Sequence, residues 1–262
     1  MVFHLVTIFP NFFAGPLDYG VVARARQSGR IDIRVWDLRE FAFDRHHTVD
    51  DRPFGGGEGM LLKIEPIHLA LEKIRAGSAA RPWTVLLSAQ GRLFDQAAAA
   101  RLSGLEELVL VCGRYEGVDE RVAEHVADEE LSIGNFVLSG GELAAAVVLD
   151  AVARLAPGVV GNQDSTRSES FALPTAPPAE GGTEERPAGI LDHPQYTRPA
   201  DFHGWRAPEI LLSGNHEQVR RWRRRAALEK TVRLRPDLLE RAALTPEDRR
   251  LIEELRLERS LP

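Results

Sequence analysis

Strand-like and helix-like segments alternate through the first 160 residues, and this alternation constrains the chain more than any other feature. "FHLVTIF", "IDIRVWDL", "WTVLLSA" and "ELVLVCG" are short apolar runs rich in β-branched residues. Such runs suit strands buried on both faces of a parallel sheet. Between them lie helix-like patterns at Glu65–Ile74, Asp95–Leu102 and Asp119–Val126. The order β-α-β-α predicts an α/β domain with a parallel sheet. Three of the loops expected after strands carry small or polar residues: "SAQGR", "CGRYEG" and "SIGNFVLSGGE". In open α/β sheets ligands sit at the carboxyl ends of the strands, so these loops are expected to converge on one site.

The third of these loops is unusual. Gly140-Gly141 precedes a helix-forming stretch, where a phosphate cradle is the usual expectation. Yet the chain has no G-x-x-x-x-G-K-[ST] and no G-x-G-x-x-G there, and Glu142 brings a negative charge. The glycines are expected to let backbone approach something other than a phosphate. Ser139 and Glu142 read as a capping box for the next helix. Leu143, Ala146, Val147, Ala151 and Arg154 share one face of it, and Pro157-Gly158 ends it.

From Gly161 to Gly189 the text becomes "GNQDSTRSESFALPTAPPAEGGTEERPAG", a polar linker in composition. Beyond it, helical patterns run over Asn215–Ala227, Pro236–Ala242 and Pro246–Arg259. The expected organisation is an α/β domain over 1–160, a linker over 161–189 and a small all-helical domain over 190–262.

Charge distinguishes the two ends. The net charge is −6, but residues 216–235 hold eight basic side chains against Glu217 and Glu229, or +6, which leaves −12 elsewhere. A basic patch on an acidic protein can be an electrostatic footprint for nucleic acid. Within "RRWRRR", Arg220–Arg225, an aromatic ring sits among the cations, a combination that grips single strands. A solvated helix face is the plainer reading. Thirty of the 33 basic residues are arginine, which suits phosphate but also follows from a GC-rich genome.

Other features exclude function classes. No apolar run is long enough to span a membrane, and the N-terminus lacks a signal-peptide pattern. Cys112 is the single cysteine, so no internal disulfide or multi-cysteine zinc site can form, and a reducing, cytoplasmic setting is expected. His46 and His47 are adjacent and do not face one way, which argues against a shared metal. "DRPFGGGEGM", Asp51–Met60, holds more glycines than a turn requires and suggests close backbone approach to a ligand or partner. Glu116, in the turn "CGRYEG", is placed to meet an amino-bearing ligand. Asp150 and Arg154 stand at i, i+4 spacing. Residue patterns alone point to a ligand-binding α/β domain joined to a basic helical one, either an enzyme acting on RNA or an RNA-binding module.

A set of longer stretches, in one order, carries a resemblance: "IFPNFF", "DYGVVARA", "DRHHTVDDRPFGGGEGM", "LSAQGR", "LVCGRYEGVDERV", "SIGNFVLSGGEL", "LDAVARLAPGVVG", "LDHPQYTRP" and "ILLSGNHEQVRRWR". Together they are similar to the bacterial tRNA (guanine-N1)-methyltransferases of the TrmD family. The resemblance implies a SPOUT-like parallel sheet with a deep trefoil knot. It implies a homodimer that uses S-adenosylmethionine to methylate N1 of the guanosine at tRNA position 37.

The cofactor site implied by the resemblance comprises Ser132, Ile133, Gly134, Asn135, Phe136, Val137 and Leu138, with the Gly140-Gly141 turn. Leu87, Ser88, Gly113 and Glu116 join it from the preceding loops. Ile133, Phe136 and Leu138 would flank adenine. Arg154 corresponds to the family's helper arginine. The family's base is an aspartate in an Asp-Ser-Phe sequence, and here Glu169-Ser170-Phe171 stands in its place. Asp164 is the rival base. Other departures are Leu86 and Phe136 where tyrosine is frequent, and Ala89 where proline is frequent. Arg220, Arg221 and Arg224 are expected to hold RNA phosphates. Magnesium is a family expectation for which the sequence offers no ligand cluster, so no metal ligand is assigned. The rivals are a catalytically silent tRNA-binding homologue and an ordinary Rossmann methyltransferase, the latter disfavoured by the missing early G-x-G.

Overall fold

The computed structural model describes residues 1–161, 169–173 and 189–260. Residues 1–161 form one compact unit, and the described residues beyond them belong to a second.

In the first unit the apolar runs become strands as expected. β1 is Val2–Thr7, β2 Asp32–Asp37, β5 Trp83–Leu93 and β6 Glu107–Cys112. A further strand, β7, covers Glu129–Ser132. The five make one sheet in the order β2-β1-β6-β5-β7, parallel at every pairing. Between β2 and β5, two-residue strands β3 (Asp50–Asp51) and β4 (Leu61–Leu62) pair antiparallel on their own. β7 escaped the sequence reading because "EELS" is polar at an edge. Only Leu131 and Ser132 are buried, and Glu129 turns to the Trp83 indole N–H and to Arg101.

Successive strand residues face opposite sides, and the core splits accordingly. Phe3, Leu5, Leu108 and Leu110 face one layer of helices: α1 (Gly20–Gln27), α3 (Gln96–Ser103) and α5 (Glu142–Ala153). Val6, Leu86, Val109 and Val111 face the other: α2 (Ile64–Ala76) and α4 (Arg121–His125). Asp95 caps α3 by accepting the Ala98 N–H at 2.8 Å.

α5 departs from the sequence reading in two ways. Its buried side is Ala144, Ala145, Val148, Leu149, Val152 and Ala153. The set Leu143, Ala146, Val147, Ala151 and Arg154 does share a face, but it is the outward one, with Leu143 52% and Val147 48% exposed. The expected capping box is absent: Gly141 is the N-cap and no side chain caps it. Glu142 instead turns inward, where it is 1% exposed.

The second unit is mainly helical. α6 is His216–Leu234, capped by Asn215 through the Gln218 N–H, and α7 is Pro246–Ser260. A small core of Ile190, Ala227, Leu228, Ile252 and Leu255 joins them. The pattern at Pro236–Ala242 is a short 3-10 turn, Pro236–Glu240. The unit is not all-helical: β8 (Asp201–Phe202) and β9 (Trp205–Arg206) form a hairpin around His203-Gly204. Both loop residues have positive φ, the requirement of a two-residue hairpin turn.

Candidate active site

The carboxyl ends of β5, β6 and β7 surround a cavity of about 380 Å³. It falls within the usual range for small-ligand pockets, about 300–1,000 Å³. Each of the three predicted loops contributes to it. The first loop is a bulge in β5: the pairing with β7 shifts register between Leu87 and Arg92. This frees Leu87, Ser88, Ala89 and Gln90 to line the cavity. Gly91 makes the bulge possible, because a Cβ there would lie 2.5 Å from the Glu130 carbonyl carbon.

The second loop follows β6. Its backbone is held by the 60–62 segment: the Glu116 N–H donates to Met60 O at 3.1 Å, and the Leu62 N–H donates to Gly117 O at 3.0 Å. Gly59 abuts the Glu116 side chain so closely that no Cβ would fit. The neighbouring glycines differ. Gly55 and Gly56 have nothing within 4 Å of a Cβ position, and both have positive φ. Their glycine requirement is conformational, and Gly59, with φ +81°, shares it; of the run, Gly59 alone also abuts another group too closely for a Cβ, the Glu116 side chain.

The third loop, from Ser132 onward, is clamped to the second. Gly141 N–H donates to Gly113 O at 2.8 Å, and a Cβ on Gly141 would stand 2.7 Å from the Cys112 Cα. The partner that the glycine pair admits is therefore this protein's own backbone, at the end of β6. Glu142 completes the clamp. It accepts from Thr7 Oγ1 at 2.7 Å and from Arg114 Nε at 2.9 Å. Arg114 also donates to Ser139 O at 3.0 Å and lies over the Phe9 ring, 4.6 Å from its centroid. A buried carboxylate needs such a charged, hydrogen-bonded partner. Thr7, Phe9 and Arg114 were missed as site-forming residues. Their signal lay in "IFPNFF" and "CGRYEG", but the pairing to Glu142 spans the chain.

All the predicted cofactor residues line this cavity except Asn135, which is exposed at the loop tip. Thus Leu87, Ser88, Gly113, Glu116, Ser132, Ile133, Gly134, Phe136, Val137, Leu138, Gly140 and Gly141 are brought together. The lining is backbone, apolar side chains, acids and the neutral polar Ser88, Gln90, Tyr115 and Ser132. Arg114, the one arginine in it, is already committed to Glu142. This donor set suits a ligand that is cationic or neutral and lacks phosphate. Burial, reinforced by the Glu142 charge, pushes the Cys112 thiol well above its ordinary pKa, so it stays protonated and inert beneath the cavity.

Arg154 does not line the cavity. It follows the last turn of α5, the helix whose first turn borders it. Glu169 lies in the second unit. There its C=O accepts the Ala172 N–H at 3.2 Å, Ser170 Oγ accepts the Asp192 N–H at 2.9 Å, and the Phe171 N–H donates to Ile190 O at 2.9 Å. Phe171 adopts φ +65° and its ring lies 6.0 Å from the Arg235 guanidinium. The turn carrying Glu169 is thus anchored to the start of the second unit. Asp164, the rival base, lies outside the described residues.

On α6 the three predicted RNA contacts separate. Arg221 pairs with Glu217 at 2.6 Å on the exposed surface. Arg220 is exposed. Arg224 is different: its Nε and Nη2 bind both oxygens of Asp248, which is buried and also caps α7 through Thr245. Arg224 therefore joins α6 to α7, and its guanidinium is spent before any phosphate arrives. Among the described residues no group of three or more His, Cys, Asp or Glu side chains could hold a metal. His47, one of the adjacent pair, hydrogen-bonds through Nδ1 to Ala42 O at 2.8 Å.

The family model described as tRNA (Guanine-1)-methyltransferase TrmD matches residues 1–241. The tRNA (guanine-N(1)-)-methyltransferase of Koribacter versatilis is 55% identical over 260 residues, covering 98% of both chains. That of Moorella thermoacetica is 50% identical, covering 96% of this chain and 95% of its own. That of Geobacter metallireducens is 49% identical, covering 97% and 98%. The chain belongs to the TrmD family of tRNA (guanine-1)-methyltransferases.

Proposed function

We propose that this protein methylates N1 of the guanosine at position 37 of tRNA, with S-adenosylmethionine as the methyl donor. The observation that carries the reading is the single phosphate-hostile cavity built by three strand-end loops, in a chain of this family. When bound, S-adenosylmethionine supplies a methyl group on a cationic sulfonium. Backbone groups of 132–141 and the apolar Ile133, Phe136 and Leu138 suit its adenine, and the Glu116 carboxylate suits its amino group. The SPOUT-type knot is part of this proposal. The Gly141–Gly113 hydrogen bond and the Arg114–Gly140 bridge support it, since they bind the loop before α5 to the end of β6.

Guanine N1 carries a proton at neutral pH, so its lone pair is not free until a base removes that proton. Glu169 takes this role, with one more methylene than the family aspartate. As the proton leaves, negative charge builds on O6, and Arg154 offsets it. The methyl carbon must then lie in line about 3–3.5 Å from N1.

A homodimer follows from the position of Arg154. α5 has 12 residues, so about 18 Å of helix separates its cavity end from Arg154. Its outward face, with Leu143 and Val147 exposed, is apolar enough to pack against a second copy. Antiparallel packing of two such helices about a two-fold axis brings the Arg154 of each chain toward the cavity of the other. No described helix is long and apolar enough to cross a membrane, and the cytoplasm, where tRNA is modified, is the proposed location.

The deciding experiment offers labelled S-adenosylmethionine with tRNA transcripts carrying guanosine or adenosine at position 37. Label should enter only the first, and digestion should release N1-methylguanosine. Label in both transcripts, or in neither, sinks the reading. The shared site has its own test. Ile133→Trp fills the cavity and Arg154→Ala removes the helper, and each alone should be inactive. Mixed after co-expression, they should recover up to about a quarter of the parent activity, one good site in four, on the two-fold arrangement. No recovery would place Arg154 in the same chain as its cavity.

A further inference from the structure

The second unit has a cavity of its own, about 300 Å³, formed by the segment 193–200, the turn Glu209–Leu212 and α6. Its lining is chemically mixed. Tyr196, 51% exposed, offers an aromatic face, and its ring centroid lies 6.3 Å from that of Trp222. Leu211 and Leu212 add apolar surface. Arg198 and Arg223 line the same cavity, and among the described residues neither has a carboxylate partner. Their neighbours differ: Arg206 pairs with Asp201, Arg221 with Glu217, Arg224 with Asp248 and Arg235 with Asp237.

With no carboxylate partner among the described residues, both cations are open to an anion. An exposed tyrosine lining the same cavity suits a ligand with a flat π-face and an anionic group. An unstacked ribonucleotide has both, and single-stranded RNA is gripped by aromatic stacking combined with phosphate contacts. A second aromatic surface adjoins the first in sequence: hairpin β8–β9 exposes Trp205 at 76%, with its ring 6.1 Å from Phe202.

We propose that this cavity is a nucleotide subsite, which stacks one unpaired base of the RNA on Tyr196 and holds the flanking phosphates with Arg198 and Arg223. The proposal rests on the tRNA reading above and names where the second unit grips the RNA. It differs from the phosphate face expected at Arg220, Arg221 and Arg224, because it adds a base platform and uses the arginines that no carboxylate has claimed.

The test uses the full chain with Tyr196→Ala, Tyr196→Phe and Arg223→Glu. tRNA binding is followed across a salt series, together with KM and kcat for methyl transfer and the affinity for S-adenosylmethionine. Tyr196→Ala and Arg223→Glu should each weaken tRNA binding roughly 5–100-fold, raising KM more than lowering kcat. Tyr196→Phe should bind normally, because stacking needs the ring and not the hydroxyl. Arg223→Glu should flatten the salt slope and Tyr196→Ala should leave it. Cofactor affinity should not change. Arg223 is exposed, so its variant decides the matter if Tyr196→Ala misfolds. Normal tRNA binding by Arg223→Glu and Tyr196→Ala overturns the subsite. A polyglutamate peptide that competes at the cavity as well as tRNA does would assign it to an acidic protein partner instead. If the parent methylates guanosine 37 while the variants bind normally, the subsite falls and the enzyme reading stands. If the variants lose tRNA but the parent transfers no methyl group, the reverse holds.

Discussion

The strand-end loops of the first unit and the basic helix α6 of the second both stand out in the sequence, one by glycine and the other by arginine. In the loops, most of what brings the cavity together is a property of backbone, and the side chains of Thr7, Arg114 and Glu142 complete the clamp. Gly141 is needed because the Cys112 Cα would be 2.7 Å from its Cβ, and the cavity residues come together because their strands are neighbours in the sheet. On α6 the features that matter are side-chain partnerships. Arg221, Arg223 and Arg224 look alike in the sequence, yet one has an exposed glutamate, one has no carboxylate among the described residues and one is tied to a buried aspartate. A site built from backbone tolerates substitution around it. A site built from charges depends on which charges are already neutralised.

The largest effect that can sharpen this comparison lies between the two regions, at Glu169. Glu169→Ala should lower methyl transfer roughly 10²–10⁴-fold, with cofactor affinity unchanged because the loops remain intact. A mild loss here, with a crippling one in Asp164→Ala, moves the base to Asp164.

Arg224 gives the next largest effect. Its removal leaves the Asp248 carboxylate buried and uncompensated, which costs about 3–5 kcal/mol. Arg224→Ala should therefore lower the urea midpoint of the second unit. Burial pushes the pKa of Asp248 upward, but hydrogen bonds from Arg224 and Thr245 outweigh it and hold the group below its ordinary value of 3.8. Because the folded value is the lower one, this stabilisation is present above 3.8 and fades as pH falls below it. An unchanged midpoint for Arg224→Ala at neutral pH would return this arginine to the RNA face.

The smallest effect is expected at the exposed pair. Replacing Arg220 and Arg221 with alanine should leave stability within about 0.5 kcal/mol. The slope of log K against log salt for tRNA binding should fall by about 1–2. A slope equal to that of the parent would mean that this face only solvates the helix.

The order of elements was legible because it depends on local pattern. Apolar runs made strands, and the helical patterns that begin at Asp95 and Asn215 became helices capped by those residues. The cavity was legible for a related reason: parallel strands point their carboxyl ends the same way, so the loops that follow them share one edge of the sheet. β7 was not legible, because an edge strand with Leu131 as its only large apolar side chain facing the core has no periodicity to detect. The stretch "LDHPQYTRPADFHGW" reads as an ordered turn region, but the hairpin at His203-Gly204 within it was not legible as strands, because two residues on each side are too few to show a period.

What the sequence determined by itself was the class of the first unit and the position of its ligand loops. Those follow from spacing within a few residues. Only the tertiary structure decided that Glu142 turns inward to Thr7 instead of capping its helix, across 135 residues of chain. It alone decided that α5 presents Leu143 and Val147 outward, and that Arg224 belongs to Asp248 while Arg223 has no carboxylate partner among the described residues. Each of these is a choice between partners that the local sequence leaves equivalent. Folding resolves it by bringing one of them within hydrogen-bonding distance and burying it there.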